Sequence, residues 1–573
     1  MKKFINNTLT FLITHKWYIL GFLILGFILF TNTFHEKYPD EFDNILGGKF
    51  ILQGVFPNTG FFTHHGPFAY FFSAFILLFS GVSFVKFRIL LALLYWFAHL
   101  GLFSYIRNRF GKIPAIVSLV WSILVALTSS FNWGHMLLSD SLAGLLVVPA
   151  ILILFFFYFE KKKLRYIDIF LLSFLLAATF LTAFTYVFVV IVLYILLLAT
   201  VLHTKSLDSS TTLSKKQFGE WLQAAIIVVS PYLVFCLYLL FTKGFSDFYY
   251  QTIFFNTQYY LAGSDASTVS NPIRFAITLL VKYIDAYRII LVQVPSLNFE
   301  FPFAITLALA NTLLPIVLLF KRKFFLSLTL FILTAFINVR SSILTIKETD
   351  YQSAPYHFLA LFFGVLLIAL LISEIKQHKE TFLKPIYYLF LLLFSAYFFF
   401  CTFFVFNNWL QKVYSKFMGT APLIYDRPVI APVLNQLLLD GEYYYIGPFH
   451  FEEHLYIKPE LNLASKYFIT IPAMDNSEKI QNELIADLQN NKPKIIVFDS
   501  DYVIFNSFPG SFLLKFLDTQ YVTLGTAIEN QKEYELVKET LEQYNLKTHI
   551  YIEKTHLAEV LALLETIGWL QKI

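Results

Sequence analysis

Long apolar runs recur along the first 406 residues of the chain, and short polar stretches separate them. A helix needs roughly 20 predominantly apolar residues to cross about 30 Å of hydrocarbon. By that measure the pattern predicts eleven membrane-spanning helices. Their expected ranges are 13–32, 88–106, 113–131, 141–159, 167–182, 185–202, 221–242, 301–320, 324–339, 357–373 and 385–406.

Composition supports the same class of protein. The 573 residues are 57% hydrophobic and 14% charged, and the mean hydropathy is +0.64. A soluble fold of this length could not bury that much apolar surface, so we expect a polytopic α-helical membrane protein. The net charge of +5 is modest and spread along the chain, which argues against a nucleic-acid partner. The two cysteines, Cys236 and Cys401, lie in separate apolar runs and predict neither a disulfide nor a metal site.

The segment 67–88, PFAYFFSAFILLFSGVSFVKFR, is apolar but is not among the predicted spans. If it crossed the membrane, every later loop would change sides. If it does not cross, six predicted cytoplasmic segments hold nineteen Lys and Arg, and the outer segments hold about ten. Since cytoplasmic loops are enriched in Lys and Arg, the second arrangement is favoured. We therefore expect residues 67–85 to form an interfacial or re-entrant helix, and the N-terminus to lie in the cytoplasm.

A second interfacial helix is predicted in the fourth outer loop, where NPIRFAITLLVKYIDAYRIILVQ begins at Asn271. Arg274, Lys282, Asp285 and Arg288 share one stripe at ~100° per residue, with apolar residues elsewhere. A slanted span whose charged ends reach the interface remains an alternative.

The composition changes after the last predicted span. Residues 407–573 carry ordinary charge density, helical patterns such as SEKIQNELIADLQNN and a strand-like KIIVFDSD. This pattern predicts a compact α/β domain, and an odd number of spans places it outside the cytoplasm. The expected domains are therefore 1–406, which includes the first outer loop 33–87, and 407–573.

Ionisable residues gather in the predicted outer loops. These are Glu36, Asp40, Glu41, Asp43, His64 and His65 in the first loop, His135 and Asp140 in the second, and Arg340, Lys347, Glu348, Asp350 and His357 in the fifth. A single loop charge is usually only a solvated residue, and Asp140 opens a helix, where the dipole alone favours a carboxylate. Together, however, these groups predict an active site at the membrane surface.

The first outer loop, DEFDNILGGKFILQGVFPNTGFFTHHGPFAYFF, resembles the signature of the GT-C membrane glycosyltransferases of the protein O-mannosyltransferase and aminoarabinose-transferase type. That signature has an Asp-Glu pair, a Gly fourteen residues on, a Pro, and a His/Lys-Pro-Pro element ending in Tyr. Asp40 and Glu41 match the pair, Gly54 matches the Gly, and HHGPFAY stands in place of the last element. The sequence departs from the signature there, because a Gly replaces the first Pro and no Lys is present.

The resemblance extends, more weakly, over roughly residues 10–470. FRILLALLYWFAHLGLFSYIRNRFGK is similar to the family's second span, LLSDSLAGLL to its second-loop Asp motif, and YYQTIFFNTQYY to its fourth-loop Asn/Tyr segment.

The resemblance implies a polyprenyl-phosphate sugar as donor, a hydroxyl acceptor and inversion at the sugar carbon. The residues implied fall into three groups by role. The catalytic carboxylates are Asp40, as base, with Glu41 and Asp140. The residues implied to hold the donor phosphate and lipid are His65, Arg88, Arg340 and Lys347. The residues implied to contact the substrate are His64, Asn256 and Tyr259. Arginine suits phosphate because its planar fork makes two parallel hydrogen bonds.

No cofactor is expected. Oxygen ligands from two loops would suit Mg²⁺ or Mn²⁺, but the resemblance favours a reaction without a metal. The nearest alternative functions are a membrane polysaccharide polymerase or ligase, and a non-enzymatic transporter or flippase of lipid-linked sugars. A transporter is expected to hold its ionisable groups near mid-membrane, whereas here they lie at the ends of the predicted spans.

Overall fold

The computed structural model describes residues 2–205, 215–260, 272–293, 302–337, 351–377, 383–419, 428–448, 450–503, 507–531, 534–537 and 546–572. In the described part that precedes residue 420, the regular elements are helices. They are α1 (Lys2–Asn32), α2 (Pro39–Leu52), α3 (Phe68–Ser80), α4 (Phe84–Phe110), α5 (Lys112–Ser129), α6 (Ser139–Glu160), α7 (Tyr166–Thr182), α8 (Val187–Lys205), α9 (Lys215–Phe241), α10 (Phe245–Phe248), α11 (Pro272–Gln293), α12 (Pro302–Phe320), α13 (Phe324–Ile337), α14 (Ala354–Gln377) and α15 (Leu383–Phe417). Short π-helical turns continue α10 as far as Tyr260.

Nine helices in the described ranges are long and apolar enough to cross a membrane. They are His15–Asn32, Phe84–Phe110, Lys112–Ser129, Ser139–Glu160, Phe184–Val201, Leu222–Phe241, Phe303–Phe320, Tyr351–Gln377 and Lys384–Phe417. The other two predicted spans coincide with α7 and α13, apolar helices of 17 and 14 residues. The prediction of a polytopic α-helical membrane protein is therefore confirmed, with nine long helices and two shorter ones at the eleven predicted positions.

The predicted interfacial segment of the first loop is the short helix α3. Its 13 residues extend about 20 Å at 1.5 Å per residue, which is less than a hydrocarbon layer of about 30 Å. The helix ends before Gly81, whose φ of 60° lies in the left-handed region that favours glycine. The predicted fourth-loop helix is α11, which begins at Pro272.

The chain after residue 428 forms an α/β domain, as predicted. Its helices are α16 (Ile430–Leu437), α17 (Phe451–Tyr456), α18 (Glu478–Asn491), α19 (Leu514–Gln520), α20 (Leu524–Gln531), α21 (Leu546–His549) and α22 (Leu557–Thr566). Its strands are β1 (Tyr443–Gly447), β2 (Asn462–Leu463), β3 (Ile495–Phe498), β4 (Tyr521–Thr523), β5 (Tyr534–Leu536), β6 (Ile550–Glu553) and β7 (Leu570–Lys572). Five strands form one sheet in the order β2-β1-β3-β6-β4, and β5 pairs with β7.

Helices cover both faces of the five-stranded sheet. Strands β1, β2 and β3 are parallel, and β6 runs antiparallel to both β3 and β4. Because strand side chains alternate between faces, Tyr444 and Ile446 pack with α16 and α22, and Tyr445 packs with α18 and α19. Phe62 of the first loop and Phe255 belong to the second of these two cores.

The chain divides into two compact units. The first comprises Met1–Lys37, Ser83–Cys236 and Ser270–Tyr425, and the second comprises Tyr38–Val82, Leu237–Val269 and Asp426–Ile573. Within the first unit, α14 packs against α5, α6, α12, α13 and α15. The second unit contains the first-loop helices α2 and α3 together with the α/β domain. The structure therefore groups residues 38–82 with the C-terminal domain, whereas the sequence analysis assigned them to the transmembrane domain.

Candidate active site

The first-loop motif begins helix α2 in the second unit. Pro39 is the first helical residue, where its missing N–H costs nothing, and Asp40 and Glu41 follow in the first turn, where the helix dipole favours negative charge. The two predicted carboxylates differ in exposure. Asp40 is half-buried, whereas Glu41 is fully buried. Asp40 is therefore the member of the pair that an incoming substrate can reach.

A third carboxyl, Asp43, lies one turn after Asp40 on the same helix. It is buried, and its Oδ2 accepts a hydrogen bond of 3.0 Å from the Tyr70 hydroxyl. Burial raises the pKa of Asp43 to about 7, and the nearby charge of Asp40 acts in the same direction. From the sequence, Asp43 was predicted only as one of the loop acids. The signal for its role is its spacing of three residues from Asp40 on a predicted helix.

Hydrogen bonds connect Asp43 to the histidine pair of the motif. The Tyr70 hydroxyl lies 2.7 Å from Thr63 Oγ1, which in turn accepts a hydrogen bond of 3.0 Å from the His65 amide. The Thr63 amide donates to Gln251 Oε1 at 3.1 Å. The HHGPFAY element is thereby tied to α2 at one end and to the fourth-loop segment at the other.

The three predicted substrate contacts belong to the same unit. The rings of His64 and His65 lie 4.0 Å apart, and both residues are half-buried. The Asn256 amide donates to the His64 carbonyl at 2.7 Å, and Tyr259 packs on Phe255 at 5.9 Å between ring centroids. The structure therefore brings Asn256 to the histidine pair, while Tyr259 packs in the aromatic core beside it.

Two close approaches and one turn fix α2 in place. A Cβ on Gly47 would lie 2.2 Å from the Tyr70 ring, and one on Gly48 would lie 2.6 Å from the Ala74 amide nitrogen, so α3 packs directly on the α2 backbone. Gly54, the motif glycine, has a φ of 81° just after the helix ends. That conformation favours glycine, so the length of α2 sets the spacing of fourteen residues between Asp40 in its first turn and Gly54 just after its end.

Lys49 ties α2 to the α/β domain within the same unit. Its buried ammonium donates to the carbonyls of His454 and Ile457, at 2.9 and 2.7 Å, at the end of α17. Burial lowers the pKa of Lys49 to about 8. Helix α2 is therefore held on one side by α3 and on another by the C-terminal domain.

Arg88 lies in the first unit and is buried. Its guanidinium donates to the carbonyls of Thr33 at 3.1 Å, His35 at 2.8 Å and Glu36 at 2.6 Å. Beside Arg88 and His135, a cavity of about 20 Å³ has room for roughly one water molecule. The predicted phosphate ligand therefore holds the segment that leaves α1.

Two lysines, Lys412 and Lys416, lie in the same region of the first unit as Arg88. Lys412 Nζ lies 3.5 Å from the Glu36 carboxylate and donates to the Ser130 carbonyl at 2.5 Å. The pKa of His35 is lowered to about 4, mainly by burial. Glu36 opposes this shift, and the charges of Lys412, Lys416 and Arg88 contribute to it.

Neither lysine was predicted from the sequence, because the last predicted span ends at residue 406, whereas α15 continues to Phe417. The signal was the stretch NNWLQKVYSKF, which continues the helix with Lys412 and Lys416 one turn apart.

The remaining predicted residues lie elsewhere. Asp140, in the first turn of α6 in the first unit, is buried and accepts a hydrogen bond of 2.8 Å from the Tyr186 hydroxyl. Arg340 and Lys347 lie outside the described residues. Across the described ranges, no group of three His, Cys, Asp or Glu side chains has an arrangement that could hold a metal ion.

No family model and no curated protein matches the sequence. Among solved structures, the chain is similar to ArnT from Cupriavidus metallidurans. The apo structure is 13% identical with a TM-score of 0.45, and the structure bound to undecaprenyl phosphate is 12% identical with a TM-score of 0.44. Each similarity covers 89% of this chain and 96% of the ArnT chain.

Proposed function

We propose that the chain is an integral-membrane glycosyltransferase that moves a sugar from a polyprenyl-phosphate donor to an acceptor hydroxyl. The observation that carries this proposal is the environment of α2. An accessible carboxylate, Asp40, stands at the start of a helix held by buried contacts, and the buried Asp43 lies one turn behind it. A general base must be reachable by substrate and must be held in a fixed position.

In the proposed reaction Asp40 accepts the proton of the acceptor hydroxyl as that oxygen attacks the anomeric carbon. The bond between the anomeric carbon and the phosphate oxygen breaks, its electron pair leaves with the polyprenyl phosphate, and the sugar configuration inverts. A phosphate leaving group needs positive charge or hydrogen-bond donors, and His65, in the same unit as Asp40, is a proposed donor. No metal ion takes part, so we expect a chelator such as EDTA to leave the rate unchanged.

The acceptor is a hydroxyl of a protein, a lipid or a cell-envelope glycan. We place the reaction at the outer face of the cell membrane, with the N-terminus in the cytoplasm and the C-terminal domain outside. A polysaccharide polymerase or ligase would use the same carboxylate chemistry on a growing glycan. A flippase of lipid-linked sugars would move the donor without breaking its phosphate bond.

The experiment that tests the proposal combines purified full-length protein with a panel of polyprenyl-phosphate sugars and measures released polyprenyl phosphate. We expect release with at least one donor, and a loss of 100-fold or more in Asp40→Asn, consistent with the contribution of about 10²–10⁴ typical of general-base catalysis. The matched control is Asp440→Asn, because Asp440 is an exposed acid of the C-terminal domain paired with Lys458. Donor movement without release, or normal turnover in Asp40→Asn, would overturn the assignment.

A further inference from the structure

The sheet of the C-terminal domain has a topological switch point at β1. The chain passes from β1 to its parallel neighbour β2, and then returns to add β3 on the other side of β1. In open sheets with this reversal, ligands bind in the crevice outside the carboxyl ends of the two strands where the direction changes. The carboxyl ends of β1 and β3 are therefore a candidate site that the proposed transferase reaction does not use.

Three ionisable side chains lie at this edge of the sheet. Asp499 directly follows β3, and its amide donates to the Gly447 carbonyl at the end of β1, at 3.0 Å. His549 directly precedes β6, whose antiparallel register pairs Val497 with Ile550. That register brings His549 to the carboxyl end of β3, where its Nε2 lies 3.3 Å from Asp499 Oδ1.

His450 completes the set after β1. Its Nε2 is buried and has no hydrogen-bond partner within the described part of the chain. Burial lowers the pKa of His450 to about 4, with Asp499 raising and His549 lowering it, so the three groups lie close enough to act on one another. Burying an imidazole nitrogen that has no hydrogen-bond partner costs free energy of folding, unless a ligand in the crevice supplies the partner.

The side chains at the carboxyl ends of β1 and β3 indicate which class of ligand binds there. It offers carboxylates, Asp499 and Asp501, and two imidazoles, with the Ser500 hydroxyl between the acids. This set is rich in hydrogen-bond acceptors and carries no fixed positive charge, so it does not suit phosphate or polyprenyl phosphate. Several hydroxyl groups on one rigid ring would match it.

We propose that the carboxyl edge of β1 and β3, formed by His450, Asp499 and His549, binds a saccharide, which is the acceptor of the transfer reaction. The role as acceptor rests on the proposed transferase function, whereas saccharide binding does not. Asp499 accepts hydrogen bonds from ring hydroxyls, and Nε2 of His450 forms a hydrogen bond with a hydroxyl of the same ring.

The test uses the full-length protein in detergent on an array of neutral and acidic oligosaccharides, followed by calorimetric titration of each saccharide bound. No donor is present, so the result does not depend on transferase activity. Asp499→Asn is expected to weaken binding about tenfold, which is about 1.4 kcal/mol, because a charged carboxylate is a stronger hydrogen-bond acceptor than a neutral amide. His549→Ala and His450→Ala are expected to weaken it as well.

Two matched controls lie at the opposite edge of the same sheet. His556 lies after β6, whereas His549 lies before it. Like His549, His556 is close to an acid: its Nδ1 lies 3.0 Å from Oε2 of Glu559. Asp440 precedes β1, whereas Asp499 follows β3. His556→Ala and Asp440→Asn should therefore bind saccharide normally.

Each alternative outcome contradicts the proposal. Binding to no saccharide on the array, equal loss in the edge variants and the controls, or binding that needs an added divalent cation such as Zn²⁺ would each overturn it. Saccharide binding by a protein that releases no polyprenyl phosphate would uphold the site and refute its role as acceptor site.

Discussion

At the scale of single residues, two carboxyl groups one turn apart on α2 have opposite environments. Asp40 is half-buried at the start of the helix, whereas Asp43 is fully buried against the Tyr70 hydroxyl. The sequence motif identified Asp40 and Glu41 as an acidic pair. It could not show which acid would be enclosed, because the partner of Asp43 lies 27 residues away and depends on how α3 packs.

The raised pKa of Asp43 predicts a pH-dependent stability. The pKa rises from 3.8 to about 7 on folding, so between those values the folded protein binds the proton more tightly than the unfolded chain. Stability therefore falls as the pH rises from about 4 to 7 and is level above that range. Asp43→Asn cannot ionise and still offers an oxygen to Tyr70, so its stability should not fall in this way.

The measurement is the thermal midpoint of wild type and Asp43→Asn in detergent from pH 4 to 9. Relative to wild type, the variant should gain about 4 kcal/mol between pH 4 and pH 8, since the pKa rises by about three units and one pKa unit corresponds to about 1.4 kcal/mol. Asp43→Leu, which leaves the buried Tyr70 hydroxyl without this acceptor, should be less stable at every pH. Parallel pH curves for wild type and Asp43→Asn would show that Asp43 does not titrate in this range.

Lys412 and Lys416 predict a charge effect on donor binding. If they hold the phosphate of the donor, Lys412→Gln should raise the KM for the polyprenyl-phosphate sugar about tenfold, and Lys412→Arg should retain most of the affinity. Lys384→Gln is the control, because Lys384 lies at the opposite end of the same helix, α15. A KM unchanged in Lys412→Gln would remove Lys412 from the phosphate site.

At the scale of elements, hydrophobic periodicity located the helices well and their mutual contacts poorly. Each of the eleven predicted spans coincides with a helix, because a long apolar run allows few alternatives. The pairing of α2 with α3 was not predicted, although Gly47 and Gly48 were visible in the sequence. A glycine pair in a helix shows where a neighbour can approach but does not identify that neighbour.

The close packing of α2 on α3 predicts a severe effect of one methyl group. In Gly48→Ala the new Cβ would lie 2.6 Å from the Ala74 amide nitrogen, and a backbone atom cannot move aside as a flexible side chain can. We expect a loss of about 1–3 kcal/mol, as for other overpacked sites, together with reduced transfer because Asp40 is on the same helix.

Gly101→Ala is the matched control for this substitution. Gly101 is also helical, in α4, but apart from its chain neighbours and the nearby backbone of its own helix no atom lies within 4 Å of an added Cβ. There the change should be neutral or stabilise by up to about 1 kcal/mol, the helix preference of alanine over glycine. Equal thermal midpoints for the two variants would contradict the close contact between α2 and α3.

At the scale of the whole molecule, the arrangement of the chain across the membrane depends on α3. The sequence predicted that this segment does not cross, from the distribution of Lys and Arg, and its 13-residue helix is too short to span about 30 Å. The C-terminal α/β domain was predicted from its composition. Its carboxyl-edge cluster was not, because Asp499 and His549 are 50 residues apart in the sequence and meet only through the strand order β3-β6.

Reporter fusions test this arrangement directly. Fusions after Lys112 and after Lys163 should report the cytoplasm, because both follow basic clusters that the positive-inside rule places there. A fusion at the C-terminus, after Ile573, should report the outer side, since eleven crossings separate it from a cytoplasmic N-terminus. If α3 crossed the membrane, all three signals would invert together. Inversion of the C-terminal signal alone would place the change after α6, either because α7 or α13 does not cross or because α11 does. The pattern of the three signals therefore distinguishes a crossing α3 from a change of topology after α6.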